Sequence, residues 1–421
     1  MKYNSKEIKQ GVKIHFLNTN KFKTNLMAVT ISTPVKRDNV TKNALVTSIL
    51  RRGTAIRKSM NDISIELENM YGAEFDCGIE KLGDNHILKF YLESINDNYI
   101  NNNSNVLEKS LEILLEIILN PLTENNGFNE EYLKQEKLNL QQLIEGRKDD
   151  KDKYAFERCV EEMYKNKNHG LYRYGYIEDL EKIENNELYN YYNQLIDTAK
   201  IDIFISGEFD ENKILSYIEN SEYIKKIKDR EPEYIKDNPE NEKRDVNKIE
   251  ESMEVSQGKL VIGLKIDEQD TNNRFVSSVY NAILGGSANS KLFQNVREKE
   301  SLAYTIGSRF VRQKNNIYIK CGIDLENYDK AIKLINKELE DIRNGNFTEE
   351  DIKNAKIFLE SGIKMLEDEQ DLTITYYIGQ ELSDIHMDFE EYINQINKTT
   401  KEQIVEIANK INVDTIYFLK N

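Results

Sequence analysis

Arg297 and Tyr304 are two side chains whose types could hold a polar reacting group. They stand seven positions apart, the first at the end of a stretch with helical periodicity and the second in a stretch that reads as strand. A guanidinium can neutralise charge or hydrogen-bond a carbonyl through a fixed fork of donors. A phenol can donate to an oxyanion as its charge develops. Just upstream, Gly285, Gly286 and Ser287 make a glycine-rich loop that should close an apolar helix. Ser287, Asn289 and Ser290 are each able to cap the helix that follows. That helix carries Leu292, Phe293 and Val296 on one face, so it should pack. Turn, amphipathic helix and strand account for every residue here except the pairing of Arg297 with Tyr304. As plain structure, Arg297 would cap its helix and Tyr304 would be core.

Other chemistries have less support. No Gly-Lys-Ser/Thr follows the glycines, so they are not a phosphate-binding loop. There is no Gly-x-Ser-x-Gly elbow. The three cysteines, Cys77, Cys159 and Cys321, are widely spaced and odd in number, which argues against a disulfide framework or a thiolate zinc site. They read as buried structural thiols in a reducing cytoplasm. Of the four histidines, His15, His86, His169 and His386, none lies at ligand spacing from another. A net charge of −16 disfavours nonspecific binding to DNA or to an anionic membrane. No apolar run approaches the ~18 residues of a membrane span, and the polar start has no signal-peptide core.

One resemblance is specific. The run Leu292-Phe293-Gln294-x-x-Arg297-Glu298-Lys299-x-x-Leu302-Ala303-Tyr304 resembles the second-half motif of the pitrilysin family, the inverzincin metallopeptidases and their mitochondrial processing and respiratory-complex relatives. The resemblance implies that Arg297 and Tyr304 point into a substrate chamber and hold a peptide near zinc.

The same resemblance predicts a zinc half that these residues do not supply. In His-x-x-Glu-His, two histidines one helical turn apart bind zinc and the Glu activates the bound water. Family members place the motif just before a Gly-Thr pair. Aligned on Gly53-Thr54, the histidine positions fall on Ala44 and Ser48, and the Glu position on Thr47. The third ligand, a Glu on a later helix, falls by the family pattern at about Gln142. Alanine has no lone pair, glutamine no charge, and neutral hydroxyls are poor ligands and bases for zinc. The expectation is a helix kept for packing with its chemistry lost. His169-Gly170 resembles a turn common in family first halves, while His15 and His86 read as ordinary strand residues.

The elements that must position these residues come twice. At 421 residues the chain exceeds one typical core, and two domains are expected. Residues 11–17, 26–33, 75–79, 86–92 and 201–206 read as strands, with helices over 43–52, 59–71, 106–119, 130–145, 154–164 and 187–196. The pattern weakens over residues 208–254, where two of the four prolines stand among dense charge, and a linker is predicted there. Strands at 260–266, 317–323 and 413–419 then return, with helices at 274–284, 328–343, 349–366, 373–382 and 401–410. Gly127-Phe128-Asn129-Glu130-Glu131-Tyr132-Leu133-Lys134 parallels Asn346-Phe347-Thr348-Glu349-Glu350-Asp351-Ile352-Lys353, as duplication of one unit would leave it.

The reading is therefore an α+β chain of two homologous pitrilysin-like halves, each a mostly antiparallel sheet with helices on one face. Residues 1–207 are the half with the degenerate zinc motif, 208–254 a charged linker, and 255–421 the half with the Arg/Tyr motif. The resemblance implies a non-catalytic, substrate-binding subunit with no cofactor of its own. A homologous partner carrying His-x-x-Glu-His would bring the zinc, and the substrate would be a peptide. The rival reading is a non-enzymatic scaffold or a maturation factor of the processing-peptidase type.

Overall fold

The apolar, β-branched run Leu26–Ile31 has no polar face to turn towards water, so it must be covered on both sides. It does lie inside a sheet. In the computed structural model, which describes residues 2–100, 105–237, 239, 244–268 and 273–421, the chain forms two units.

The first unit comprises Met1–Glu145, Leu171–Ile235 and Gln370–Ile378. Its strands are β1 (Lys2–Lys9), β2 (Val12–Asn18), β3 (Thr24–Pro34), β4 (Glu74–Leu82) and β5 (Asn85–Ile95), followed by a two-residue ladder of β6 (Thr123–Glu124) with β7 (Gly127–Phe128), and then β8 (Lys200–Gly207). Six of them pair in the order β1-β2-β8-β3-β5-β4. Every pairing is antiparallel except β2 with β8. Val29 of β3 lies between Phe90 of β5 and Ile203 of β8. The helices Val40–Leu50, Val106–Leu119, Glu130–Glu145 and Asn185–Thr198 contribute Leu45, Leu111, Leu133 and Leu188 to the buried core shared with Val29 and Ile203. Burying one such side chain contributes roughly 1.5–3 kcal/mol.

The second unit comprises Gly146–Gly170, Lys236–Glu369 and Gly379–Asn421. Its strands β9 (Asn247–Ser252), β10 (Gly258–Ile266), β11 (Ala303–Val311), β12 (Asn316–Ile323) and β13 (Ile411–Lys420) pair in the order β11-β12-β10-β13-β9. Again all pairs are antiparallel but one, β13 with β9. Read from the free edge inward, β11-β12-β10-β13-β9 repeats β4-β5-β3-β8-β2, including the single parallel pair at the same place. This is the duplication that the sequence parallel predicts. Phe128 and Phe347 are both buried at the foot of matching helices. Asn129 Oδ1 accepts from the Tyr132 N–H at 3.0 Å, and Thr348 makes the corresponding cap with Asp351.

Three features depart from the sequence expectation. Strand β1 has no signature in the sequence because Lys2–Lys9 is polar on both faces, as an edge strand can be. Residues 208–254 are only partly a linker. Helices Glu211–Asn220 and Glu222–Lys226 belong to the first unit and bury Ile214, Ile218 and Ile224, while β9 joins the second sheet. The crossing between units falls after Ile235, and residues 238 and 240–243 of the expected linker lie outside the described residues. Dense charge masks the isoleucine spacing there.

The units also differ from a simple cut between halves. Helix Lys151–Met163 belongs to the second unit, where Cys159, Met163 and Tyr154 pack with Val261, Tyr318 and Tyr417. It covers the sheet face opposite the one that its other helices bury. In the first unit, Gln370–Ile378 fills the matching place. The Gln370 amide donates to Ser206 O at 3.0 Å, and Tyr377 stacks on Tyr3. Among the described residues, no helix is long and apolar enough to cross a membrane.

Candidate functional site

The glycine-rich loop is built around a close approach of two backbones. Helix Arg274–Asn281 runs on into a wider π-helical turn, Ala282–Gly286. A Cβ on Gly285 would lie 2.7 Å from Ser308 Oγ and 2.8 Å from Ser308 N on β11, so glycine alone fits. Gly285 and Gly286 are not the left-handed helix cap that the sequence suggests, because neither has a positive φ. Ser287 is extended and begins the loop.

The next helix also widens into a π-helical turn, Phe293–Lys299, and Arg297 stands on it. Such turns recur at functional sites because they rotate side chains out of the α-helical register. No side chain caps this turn, which corrects the expected role of Ser287, Asn289 and Ser290; its start is tied by Gln294 N–H donating to Ser290 O at 2.9 Å. Val296 is buried. The Arg297 side chain is 42 % exposed, with its guanidinium 4.7 Å from the Phe293 ring centre and Nε 3.8 Å from Glu298. Two backbone bonds, Ser301 N–H to Arg297 O and Leu302 N–H to Val296 O, lock the turn to the start of β11, with Ser301 in the left-handed region at φ 53°.

Tyr304 is then aimed by a bulge. Ala303 pairs with Ile323 and Thr305 with Gly322, so Tyr304 is the extra residue on β11. Bulges commonly re-aim a side chain near a functional site. Tyr304 is 52 % exposed, so it is not a core residue. Its hydroxyl donates to the Asp324 carboxylate at 3.1 and 3.3 Å. That carboxylate holds the phenol above its ordinary pKa, because ionising the hydroxyl would place two negative charges together. β11 is an edge strand, so its outer backbone groups have no sheet neighbour.

The positions of the missing zinc set lie in the first unit, and their chemistry is closed. Ala44 and Thr47 are buried on helix Val40–Leu50. Thr47 Oγ1 donates to Asn43 O at 2.9 Å, and Ser48 Oγ to Ala44 O at 3.1 Å, so both hydroxyls serve the helix's own carbonyls. Gln142 is exposed on helix Glu130–Glu145. An aliphatic methyl, two hydroxyls spent on backbone and an exposed amide do not fit zinc.

What remains on this helix is structural. Tyr191 donates to Asn43 Oδ1 at 2.6 Å, the Asn43 amide donates to His86 Nδ1 at 3.0 Å, and His86 Nε2 donates to Arg173 O at 2.9 Å. Burial lowers the His86 pKa to about 3, so the ring is neutral. The Gly-Thr pair is a fastener. A Cβ on Gly53 would meet the Lys58 carbonyl at 2.8 Å. Thr54 Oγ1 and the Arg57 guanidinium both donate to Glu116, which is fully buried.

The three cysteines and His169 offer no rival centre. Burial pushes the thiols of Cys77 and Cys321 up to about 12 and that of Cys159 higher still, so none is a nucleophile. His169 is buried in a short turn against Tyr164, as a structural residue.

A duplicated sheet-and-helix unit with an exposed Arg and Tyr in one half and a chemically silent helix in the other defines a zinc-less inverzincin. Comparison with known proteins agrees. A family model described as "Peptidase M16 inactive domain" matches residues 182–359. The chain is 32 % identical to the Bacillus subtilis (strain 168) protein named "Probable inactive metalloprotease YmfF", over 97 % of this chain and 96 % of that one. A crystal structure of a conserved protein from Enterococcus faecalis V583 superposes with a TM-score of 0.88 at 27 % identity, covering 100 % of this chain and 98 % of that one. A peptidase M16 inactive domain from Pseudomonas fluorescens, 17 % identical, shares the fold with a TM-score of 0.79 over 100 % of this chain and 98 % of that one. The chain belongs to the M16, or pitrilysin-type, peptidase family and lacks its zinc motif.

Proposed function

We propose that this chain is the substrate-binding, non-catalytic subunit of a two-chain zinc metallopeptidase, whose homologous partner carries His-x-x-Glu-His and the zinc. The observation that carries this reading is the contrast between the two sites. Thr47 and Ser48 have turned inward to the backbone, whereas Arg297 and Tyr304 remain exposed on turns that only a π-helical segment and a bulge present. A chain kept only as a scaffold has no need of that presentation. Arg297 would hydrogen-bond a peptide carbonyl. Tyr304 would donate to the oxyanion that forms when the partner's zinc-bound water attacks. The neighbouring edge of β11 would take the extended peptide through main-chain hydrogen bonds.

The test is purification of the chain from its native host with whatever accompanies it, followed by mass measurement, metal analysis and peptide hydrolysis. The reading expects a homologous chain of similar length, with zinc held by that chain and hydrolysis only by the pair. Recovery of the chain alone, or a pair without hydrolysis, favours the scaffold.

A further inference from the structure

The face of the second sheet that carries Tyr304 also carries two cations that have no anionic partner among the described residues. Along β12, residues Tyr318, Lys320 and Gly322 alternate onto one face, and Asp324 follows just beyond the strand's end. On β11, Arg309 pairs with Tyr318, Gly307 with Lys320 and Thr305 with Gly322, so Arg309 shares that face and lies diagonally beside Lys320. Tyr304 reaches Asp324 at the other end of the same row. Both Arg309 and Lys320 are exposed, and neither makes an ion pair among the described residues. This is unusual in a chain of net charge −16 with 74 acidic residues to draw on. Phe156 on helix Lys151–Met163 has its ring centre 5.6 Å from Lys320 Nζ. The two lysines of β10 are already taken, Lys259 by Asp152 at 2.9 Å and Lys265 by Asp414 at 3.3 Å. Between the two free cations, Gly307 contributes no side chain, which leaves room for a visiting one.

We infer that this row selects an acidic side chain in the bound peptide. The inference rests on the peptide-binding reading above and adds a position to it. Lys320 stands opposite Gly307, three residues along β11 from Tyr304, and Arg309 stands five residues along. At about 3.3 Å per residue, that places the cations roughly 10–16 Å from the Tyr304 position. An extended peptide lying along the edge would meet them with a Glu or Asp three to five residues from the one held at Tyr304. Phe156 would shield one side of the resulting charge pair.

The experiment uses the full chain and a set of fluorescein-labelled extended peptides. A single Glu is moved through successive positions, each peptide being matched by one with Gln there, and binding is read by anisotropy. One register of Glu is expected to bind about threefold to tenfold tighter than its Gln match, with the difference shrinking as salt rises. Arg309→Gln with Lys320→Gln should bring the Glu/Gln ratio to one, whereas Lys330→Gln on the neighbouring helix should keep it. Arg309→Glu with Lys320→Glu should invert the preference towards a Lys-bearing peptide. Equal binding of Glu and Gln peptides at every position, or a preference that survives the double substitution, overturns the inference. Peptide binding that ignores both Arg297→Ala and Tyr304→Phe instead removes the substrate-binding reading, and binding of no peptide removes both.

Discussion

Tyr304 and Asp324 form a hydrogen bond that a bulge sets up, since the extra residue on β11 carries the phenol past Gly322 to the carboxylate just beyond the end of β12. The hydroxyl is thereby held in place with its proton on, and that single proton must leave Asp324 before it can be donated to an oxyanion. A donor kept protonated and outward is suited to an oxyanion, and a donor buried in the core is not.

In a reconstituted pair with the zinc-bearing partner, Tyr304→Phe is expected to lower turnover on the order of a hundredfold or more. The ring and its packing remain, so melting temperature and assembly should be unchanged. Arg297→Ala should act mainly through KM if it holds the peptide in the ground state. Steady-state kinetics on both variants, with full activity as the contrary result, decides whether this pair contacts substrate.

Gly285→Ala should be felt on β11. The new methyl would press on the Ser308 backbone at 2.8 Å, and backbone cannot swing aside as a side chain can. Overpacking of this kind costs about 1–3 kcal/mol. The expected result is a lower denaturation midpoint together with faster amide exchange along residues 303–311. Unchanged exchange there would mean that the loop does not brace the strand.

Glu116→Gln should destabilise the first unit by about 3 kcal/mol or more, because it leaves the Arg57 guanidinium without the buried carboxylate that it and Thr54 share. Replacing Arg57 and Glu116 together by Met and Leu should cost less than either single change. Urea titration of the three variants tests the ordering. A single substitution as mild as the double one would mean that the carboxylate does not fasten Gly53-Thr54.

His86 predicts an acid-sensitive first unit. Its folded pKa is about 3, below the usual 6.5 of a free histidine. Between those values the unfolded chain takes up a proton that the folded chain refuses. The stability this neutral ring contributes is present above pH ~6.5 and is lost as pH falls towards 3, several kcal/mol in all. His86→Gln should flatten that part of the stability–pH curve. A curve of unchanged slope would mean another group governs it.

The central strands, the long helices and the repeat are legible in the sequence because β-branched runs and helical spacing write burial directly into the residues. Val29 and Ile203 are examples. The motif that ends at Tyr304 is legible too, and it makes Arg297 and Tyr304 candidates. Its geometry is not. The bulge at Tyr304 depends on where β12 pairs, which no local spacing records. The π-helical turns under Gly285 and Arg297 look in sequence like ordinary helix. The role of Gly285 is a contact with Ser308, more than twenty residues on. The cations Arg309 and Lys320 leave no sequence signal for the same reason, since register and not spacing makes them neighbours.

Strand order has a consequence for how the protein is made. β13 follows every other strand of its sheet in the chain, yet it lies between β10 and β9 rather than at an edge. During synthesis, β9 and β10 emerge with nothing to join them, and helix Lys151–Met163 waits longer still for Val261 and Tyr417. Until β13 leaves the ribosome, apolar strands of this sheet present open edges to other chains, the circumstance in which nascent proteins aggregate or recruit chaperones. A frameshift or stop shortly before Ile411 would therefore remove more than a tail. It would strand β9 away from its sheet and leave Arg297 and Tyr304 on a unit that cannot close.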